Sequence, residues 1–344
     1  MTTFAKALAW TAVAYSLLSG LLWLTLPDWC SFDAQWHTFY WDSEYCLEQL
    51  SQHGGFTRLC QDFWLQFMER PLSTACAWAL PCLLIFWLLT SLLRMALGRW
   101  SWGQRLAEPV SLLLVSCGAW MLLCNGMMPI TSAQRFKAQM CMVADEDWEK
   151  IIAQSQGRRL NNALEVNLRN LALAETDQLT SRLKEQPYQD IQSLVVLEIG
   201  SPYISAMLSD IYWTMGEISM SQMYAFETNE KLGNLSPRLL KRLVLTNIVF
   251  GHYKVAEKYL NWLDKTLNHS EWAKHYRTLL NDEAVEADPV LSVKRRCIPR
   301  QNCFPSLQSV RYDLQLIVAE NPAHKPSKQY LEAINMIYGE AVEN

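Results

Sequence analysis

The chain has 344 residues, of which 50% are hydrophobic, and its formal net charge is only -4 at neutral pH. So small a net charge gives no indication of the strongly basic surface that is typical of nucleic-acid binding, so no nucleic-acid partner is predicted. The hydrophobic residues are concentrated near the N-terminus, so composition predicts a membrane part followed by an extramembrane part.

Three uncharged apolar stretches are long enough to cross a bilayer as helices. They predict transmembrane helices at about 7–26, 71–93 and 109–130, within a membrane domain of residues 1–133. The first stretch is also compatible with a signal peptide, but it is long and lacks a small-residue cleavage site before Asp28. This favours an uncleaved anchor. Pro81 is expected to kink the second span.

The basic residues of the short loops predict the orientation of these spans. Arg94, Arg99 and Arg105 lie between the second and third spans, whereas the loop 27–70 is mostly acidic. By the positive-inside rule the N-terminus and residues 94–108 are cytoplasmic. The loop 27–70 and everything after about residue 130 are then expected outside the cytoplasm.

The first external loop contains predicted helices of its own. Ser43 to Ser51 forms a short one, Gly54-Gly55 interrupts it, and an apolar stripe at helical spacing follows. Two interpretations of this stripe stay open: a helix lying in the membrane interface, or a helix packed against protein. The stripe consists of Phe56, Leu59, Cys60, Phe63, Trp64 and Phe67.

One motif occurs twice between Ser201 and Thr266, at an offset of 35 positions. Ser caps a helix, Pro occupies its first position and Gly closes it, which predicts a helical hairpin each time. A period near 34 is typical of tetratricopeptide-like arrays, although two unrelated amphipathic hairpins are the alternative. The matched pairs are Ser201-Pro202 with Ser236-Pro237, Leu208 with Leu243, Gly216 with Gly251 and Tyr224 with Tyr259.

Helical periodicity continues through most of the remaining chain, and no long alternating pattern indicates a sheet. The predicted fold is therefore all-α: N-terminal transmembrane helices followed by an extracytoplasmic domain, residues 140–344, of about four or five helical hairpins. The acidic segment from Asn281 to Asp288 is expected to be a loop.

Several segments resemble a family of bacterial proteins, domain of unknown function family 6057. This resemblance implies membrane spans followed by tetratricopeptide-like helices, in the inner membrane of a Gram-negative cell with the repeats in the periplasm. Members usually have more spans, so this chain resembles a shortened member, and the family supplies no catalytic residues. The similar segments are His53-Gly54-Gly55-Phe56, Asp62-Phe63-Trp64-Leu65-Gln66-Phe67, Asn170-Leu171-Ala172-Leu173-Ala174, and Lys241-Arg242-Leu243-Val244 through Glu257-Lys258-Tyr259-Leu260.

The sequence predicts no catalytic residue, metal site or cofactor. Its six His residues lack ligand spacing, and neither a phosphate-binding loop nor a nucleophile elbow occurs. Cys297 and Cys303 are close enough to form a disulfide, with free buried thiols as the alternative. The alternative that the chain is an enzyme is based on an analogy with lipid-linked sugar transferases, some of which use carboxylates just after their first span. The carboxylates in that position here are those of Asp28, Asp33, Asp42 and Glu44.

A partner-binding face is predicted on the first helix of each hairpin. Arg238, Lys241 and Arg242 share one helix face by their spacing, and the preceding hairpin offers Tyr203 and Trp213. Cations beside aromatic rings can hold an anionic segment of another protein, whereas a solvated basic face is the alternative.

The predicted function is a membrane-anchored scaffold that binds a protein or peptide in the periplasm, with the lipid bilayer as its other partner. An accessory subunit, or a shortened relative, of a membrane glycan-transferring enzyme is the alternative.

Overall fold

The computed structural model describes residues 3–97, 101–123, 130–186, 190–197, 200–300 and 310–343. Within these ranges the chain is predominantly helical and has no β-strand, which confirms the predicted all-α class. The helices are α1 (Thr3–Thr25), α2 (Ser43–Ser51), α3 (Gly55–Leu65), α4 (Pro71–Leu97), α5 (Ser101–Leu123), α6 (Ser132–Ala144), α7 (Trp148–Ser155), α8 (Ala163–Glu175), α9 (Leu179–Arg182), α10 (Pro202–Met215), α11 (Ile218–Lys231), α12 (Pro237–Val249), α13 (Tyr253–Leu263), α14 (Ser270–Arg277), α15 (Asp282–Ala287), α16 (Leu291–Arg295), α17 (Val310–Glu320) and α18 (Lys325–Glu343).

The chain forms two compact units that divide the first loop between them. The first unit comprises Met1–Ala34 and Cys60–Ala138, and the second comprises Gln35–Leu59 and Gln139–Asn344. This differs from the predicted division, which assigned all of 27–70 to the membrane domain. Tyr40, Tyr45 and Leu59 are buried in the core of the second unit, so the middle of the loop belongs to the helical-hairpin part.

In the first unit, three helices are long and apolar enough to cross a membrane: Phe4–Thr25, Pro71–Leu97 and Arg105–Leu122. Small residues of α4, Ala75 and Ala79, are fully buried in one core with Leu18 and Leu22 of α1. Small side chains allow such helices to approach closely without a hydrophobic driving force between them. The side chains that stay exposed are mostly large and apolar, as lipid contact requires; among them are Leu8, Leu17, Leu24, Leu84, Leu88, Leu113 and Leu122.

The third candidate span begins earlier than predicted. Helix α5 starts at Ser101 and runs through Pro109, just as α4 runs through Pro81 without ending. A proline inside a helix loses one hydrogen bond, which neighbouring helices in a bundle can tolerate. Residues 124–129 of the predicted span lie outside the described residues.

In the second unit, the repeated motif forms two helical hairpins, α10–α11 and α12–α13. Gly216 (φ 82°) and Gly251 (φ 75°) both adopt the left-handed conformation that closes a helix. In the first hairpin the N–H of Glu217 donates to the carbonyl of Tyr212 at 2.9 Å. In the second, His252 donates to Asn247 at 2.8 Å, so the same turn recurs at the predicted offset.

The two predicted serine caps differ. The Ser201 hydroxyl accepts from the N–H of Tyr203 at 3.3 Å and caps α10 as predicted. The Ser236 side chain makes no cap hydrogen bond, so that prediction is wrong; its own N–H donates to the Asn229 side chain at 3.1 Å. Asn229 belongs to the preceding helix α11, so a neighbouring helix holds the residue that begins α12 through its main-chain N–H rather than through its hydroxyl.

The acidic segment predicted as a loop is the short helix α15. The Asn281 side chain accepts from the N–H of Ala284 at 2.8 Å and caps this helix. Acidic residues in a first helical turn are stabilised by the helix dipole, which explains how a charged segment forms a helix here. The predicted loop at 281–288 is thus corrected.

Helix α16, which follows the repeats, contacts the C-terminal ends of α10 and α12, the first helices of the two hairpins. Lys294 donates from Nζ to the Trp213 carbonyl at 2.6 Å, at the end of α10. Arg295 donates to the carbonyls of Ile248 (2.9 Å) and Val249 (3.2 Å), at the end of α12. Cations satisfy the last carbonyls of a helix and complement its dipole, so α16 joins two successive hairpins.

Candidate functional site

The predicted partner-binding residues converge on one carboxylate. Asp210 of α10 accepts from Arg238 Nη2 at 2.6 Å and from Arg242 Nη2 at 2.8 Å, both on α12. All three side chains are largely buried, with exposed fractions of 11% for Asp210, 11% for Arg238 and 16% for Arg242. Burial alone would raise the pKa of Asp210, but the two guanidinium groups hold it below its usual value.

Aromatic rings enclose this ion-pair cluster. The Arg242 guanidinium lies 4.6 Å from the centroid of Trp213, and that of Arg238 lies 5.2 Å from Trp36. Trp36 in turn contacts Tyr203, with ring centroids 5.1 Å apart. Cation–π contacts with desolvated guanidinium groups stabilise this arrangement. Four of the five predicted residues, all except Lys241, therefore belong to one cluster.

The chain itself covers part of the predicted face. Arg238 also donates to the Gln35 side chain, and to the Met140 carbonyl at 2.8 Å. Trp36 is 1% exposed although it lies in the first loop. Arg238 and Arg242 are therefore largely buried and donate to partners within the chain, so neither is the solvated surface cation of the alternative interpretation.

Lys241 lies apart from this ion-pair cluster, and its ammonium group lies over an aromatic ring. Its Nζ is 5.6 Å from the centroid of Trp272, and Trp272 packs on Tyr276 with centroids 4.1 Å apart. Lys241, Trp272 and Tyr276 are all partly exposed. We call these three residues the aromatic–lysine face. It retains one of the five predicted residues, Lys241, in a position that another molecule can reach.

An irregular segment of the first loop crosses the hairpins. Tyr40 forms an antiparallel bridge with Thr266, and its hydroxyl donates to the Leu235 carbonyl at 2.8 Å. The N–H of Trp41 donates to the Lys265 carbonyl at 2.8 Å. The second unit thus holds a non-helical segment through main-chain hydrogen bonds and buried aromatic rings, which is how proteins commonly recognise extended peptides.

Sequence reasoning missed Asp210, Trp36 and Lys294. A signal for Asp210 was present, because it is the only charged residue in the α10 sequence. An isolated charge on an apolar helix requires a partner when it is buried. No comparable signal marked Trp36 or Lys294, because Trp36 contacts Tyr203 and Lys294 donates to the Trp213 carbonyl, and both of these partners are distant in sequence.

The loop carboxylates of the enzyme hypothesis have structural contacts. Asp42 caps α2 by accepting from the N–H of Tyr45 at 3.0 Å, and it pairs with Lys265 at 2.5 Å. These contacts lower the pKa of Asp42, the Lys265 hydrogen bond being the largest cause. Asp33 belongs to the first unit, and its Oδ1 lies 3.9 Å from the Nζ of Lys137 in that same unit. Within the described ranges no group of three His, Cys, Asp or Glu residues is arranged for a metal ion.

The structure describes one of the two cysteines that were predicted to pair. Cys297 is a fully buried free thiol, and burial raises its pKa. Its sulfur and Cβ are the neighbours that a side chain at Gly216 would meet. Cys303 lies outside the described residues.

A surface cavity of about 680 Å³ is lined by basic residues. Two of its cations already have carboxylate partners: Arg158 pairs with Glu165 at 3.5 Å and Arg182 with Glu185 at 2.8 Å. The buried amide of Gln186 fixes its wall by accepting from the N–H of Leu160 at 2.9 Å. Two of the four basic residues that line this cavity are therefore engaged in ion pairs within the chain, and the cavity ranks behind the aromatic–lysine face as a candidate site.

Comparison with known proteins identifies a family. A family model described as a family of unknown function (DUF6057) matches residues 127–339, which is more than half of the chain. The similar segments at 170–174 and 241–260 lie inside this match, and those at 53–67 lie outside it. No curated protein and no solved structure matches the chain. The chain belongs to the family of unknown function DUF6057.

Proposed function

We propose that this protein is a membrane-anchored helical scaffold that binds a protein or peptide partner in the periplasm. The observation that supports this proposal is the way the second unit holds residues 36–41 of its own chain. The Trp41 N–H donates to the Lys265 carbonyl, and the Tyr40 hydroxyl donates to the Leu235 carbonyl. The rings of Trp36 and Tyr40 are buried, whereas Trp41 is exposed. A helical array with this property is suited to holding a second extended segment.

The partner segment binds on the aromatic–lysine face. Trp272 and Tyr276 supply large apolar surfaces with little conformational freedom to lose, and Lys241 supplies a cation. This chemistry selects an acidic segment that carries an aromatic or aliphatic side chain. Arg238 and Arg242 act indirectly, because they fix Trp213 and the helix that carries Lys241.

The periplasmic position follows from the three candidate spans and the positive-inside rule. The test is cysteine labelling from outside intact spheroplasts. A Gly233→Cys variant offers an exposed turn between α11 and α12, and it should react with an impermeant reagent. A Ser101→Cys variant should not react. Labelling of Ser101→Cys alone would reverse the orientation.

The partner is tested by site-specific photo-crosslinking in cells. A photoreactive amino acid replaces Lys241, and the control replaces Lys258, an exposed lysine of α13 that lies outside the face. We expect a discrete protein adduct from position 241 only. An adduct from position 258 alone would place the partner elsewhere on the array. Lipid-linked sugar bound to the purified chain, without any protein partner, would favour the accessory subunit of a glycan-transferring enzyme instead.

A further inference from the structure

Helix α3 exposes a row of apolar side chains on one side. Phe56 is 70% exposed and Phe63 is 42% exposed, and Cys60 between them is also exposed. Phe67, in the turn after the helix, continues the row and contacts Phe63 with ring centroids 5.5 Å apart. Intervals of four, three and four residues place these side chains on a single helix face.

The opposite side of this segment is packed within the first unit. Leu65 and Met68 are buried in a small core with Ala34, and Trp78 of α4 packs against it. The Thr74 hydroxyl donates to the Met68 carbonyl at 2.9 Å, which fixes the corner between α3 and α4. The direction in which the apolar row points is therefore set by the start of α4.

The position of this corner identifies what covers the row. Phe67 lies four residues before Pro71, where the candidate span α4 begins. The end of a membrane span lies at the bilayer surface, where aromatic side chains are enriched. Thr57 and Gln61 are exposed and polar, and they lie beside the row on the same helix. A helix with an apolar face and a polar flank at this depth is suited to the lipid interface.

We propose that the part of α3 from Cys60 onward lies in the membrane interface and that Cys60, Phe63 and Phe67 enter the boundary between lipid headgroups and acyl chains. The inference rests on the proposed membrane anchoring, because α4 sets the depth. It also decides between the two interpretations of the stripe for these residues: the side with Leu65 packs against protein, and the side with Phe63 contacts lipid.

The test uses the full chain in phosphatidylcholine–phosphatidylglycerol vesicles, with single nitroxide labels in a background without other cysteines. Labels at Cys60 and Phe63→Cys report on the row, and Gln61→Cys is the matched control one position away. Leu84→Cys, at a site 74% exposed on α4, reports on the span. Accessibility to oxygen, which concentrates in lipid, is compared with accessibility to a water-soluble nickel chelate.

We expect the ratio of oxygen to nickel accessibility to be several-fold higher at positions 60 and 63 than at position 61. Equal ratios at all three would mean that the row faces water, and low accessibility to both reagents would mean that protein, such as a second copy, covers it. Either result overturns the inference while a lipid-like ratio at position 84 leaves the anchoring intact. A water-like ratio at position 84 would instead refute the anchoring.

A second measurement avoids the removal of cysteines. A photoreactive amino acid replaces Phe63 or Gln61 in the otherwise natural chain, and mass spectrometry of the irradiated vesicles detects phospholipid adducts. Adducts from position 63 and not from position 61 support the interface. A protein adduct at position 63 with no lipid adduct overturns it.

Discussion

The hairpins α10–α11 and α12–α13 share one sequence motif but occupy different surroundings. A Cβ atom at Gly216 would lie 3.1 Å from the Cys297 sulfur and 3.2 Å from the Ser327 hydroxyl. At Gly251 it would have no neighbour within 4 Å. The same local motif therefore forms the same turn twice, while later segments of the chain crowd only the first. A repeat predicts local geometry, and the non-repeated elements decide what each copy contacts.

Charge distinguishes the two hairpins in the same way. At the offset of 35, Asp210 corresponds to Leu245, and Arg242 corresponds to Met207. The first hairpin thus supplies the acid and the second supplies the bases, so the ion pairs join neighbours rather than stabilise each copy alone. Each of the following predictions changes one side of this comparison.

The largest effect is expected from Asp210→Ala, which leaves two buried guanidinium groups without their carboxylate. Removing one partner of a buried ion pair costs about 4 kcal/mol, because the remaining charge is uncompensated. Chemical denaturation of the full chain in detergent, followed by circular dichroism, measures this loss. The full chain is needed because residues 35–59 form part of the second unit.

The double variant Asp210→Ala/Arg242→Ala distinguishes an ion pair from simple loss of packing. If the two groups interact as the 2.8 Å contact indicates, the double variant loses less stability than the sum of the single variants. Additive losses would show that the contact does not couple the two helices.

The next largest effect is expected from Gly216→Ala. An alanine at φ 82° costs about 1–2 kcal/mol, and the contacts with Cys297 and Ser327 bring the total to about 3 kcal/mol. Gly251→Ala is the matched control, with a similar φ but open space, and should cost only about 1–2 kcal/mol. Equal losses in the two variants would mean that the later helices do not press on the first turn.

A contribution to stability that falls as pH rises should come from Glu217 of the first hairpin. Burial, and then the charge of Asp313, raise the pKa of Glu217 from 4.5 to about 7. Between these values the folded chain keeps a proton that the unfolded chain releases, so the contribution of Glu217 falls as pH rises, by about 1.4 kcal/mol per unit at most. Burial lowers the pKa of both His269 and His324 to about 3, so these residues act in the opposite direction below pH 6.5.

The difference in unfolding free energy between the natural chain and Glu217→Gln isolates this contribution, and it should fall between pH 5 and 7. Glu230→Gln, an exposed control on α11, should keep the pH dependence of the natural chain. The residue of the second hairpin that corresponds to Glu217 is the exposed His252.

Local features of this chain could be predicted from sequence, because their causes lie within one or two helical turns. The apolar spans, the glycine turns and the spacing of Arg238, Lys241 and Arg242 are of this kind. The partners of those cations could not be predicted: Asp210 lies on another helix, and Trp36 lies about 200 residues away. The sequence shows that Trp36 is apolar, but only the assembled hairpins show that it covers Arg238. The residues of the candidate site were therefore chosen by type and spacing, while their burial could not be predicted.

The smallest effect concerns the serines that begin the two first helices. Ser201→Ala removes an acceptor from the N–H of Tyr203, and at 3.3 Å this cap contributes only about 0.5–1 kcal/mol. Ser236→Ala removes a hydroxyl that is fully buried and has no cap hydrogen bond. Because a buried hydroxyl without a hydrogen bond is itself unfavourable, this variant should match or slightly exceed the natural chain in stability. Thermal unfolding of both variants under identical conditions measures the difference, and a larger loss for Ser236→Ala would show that the second hairpin uses its serine as the first one does.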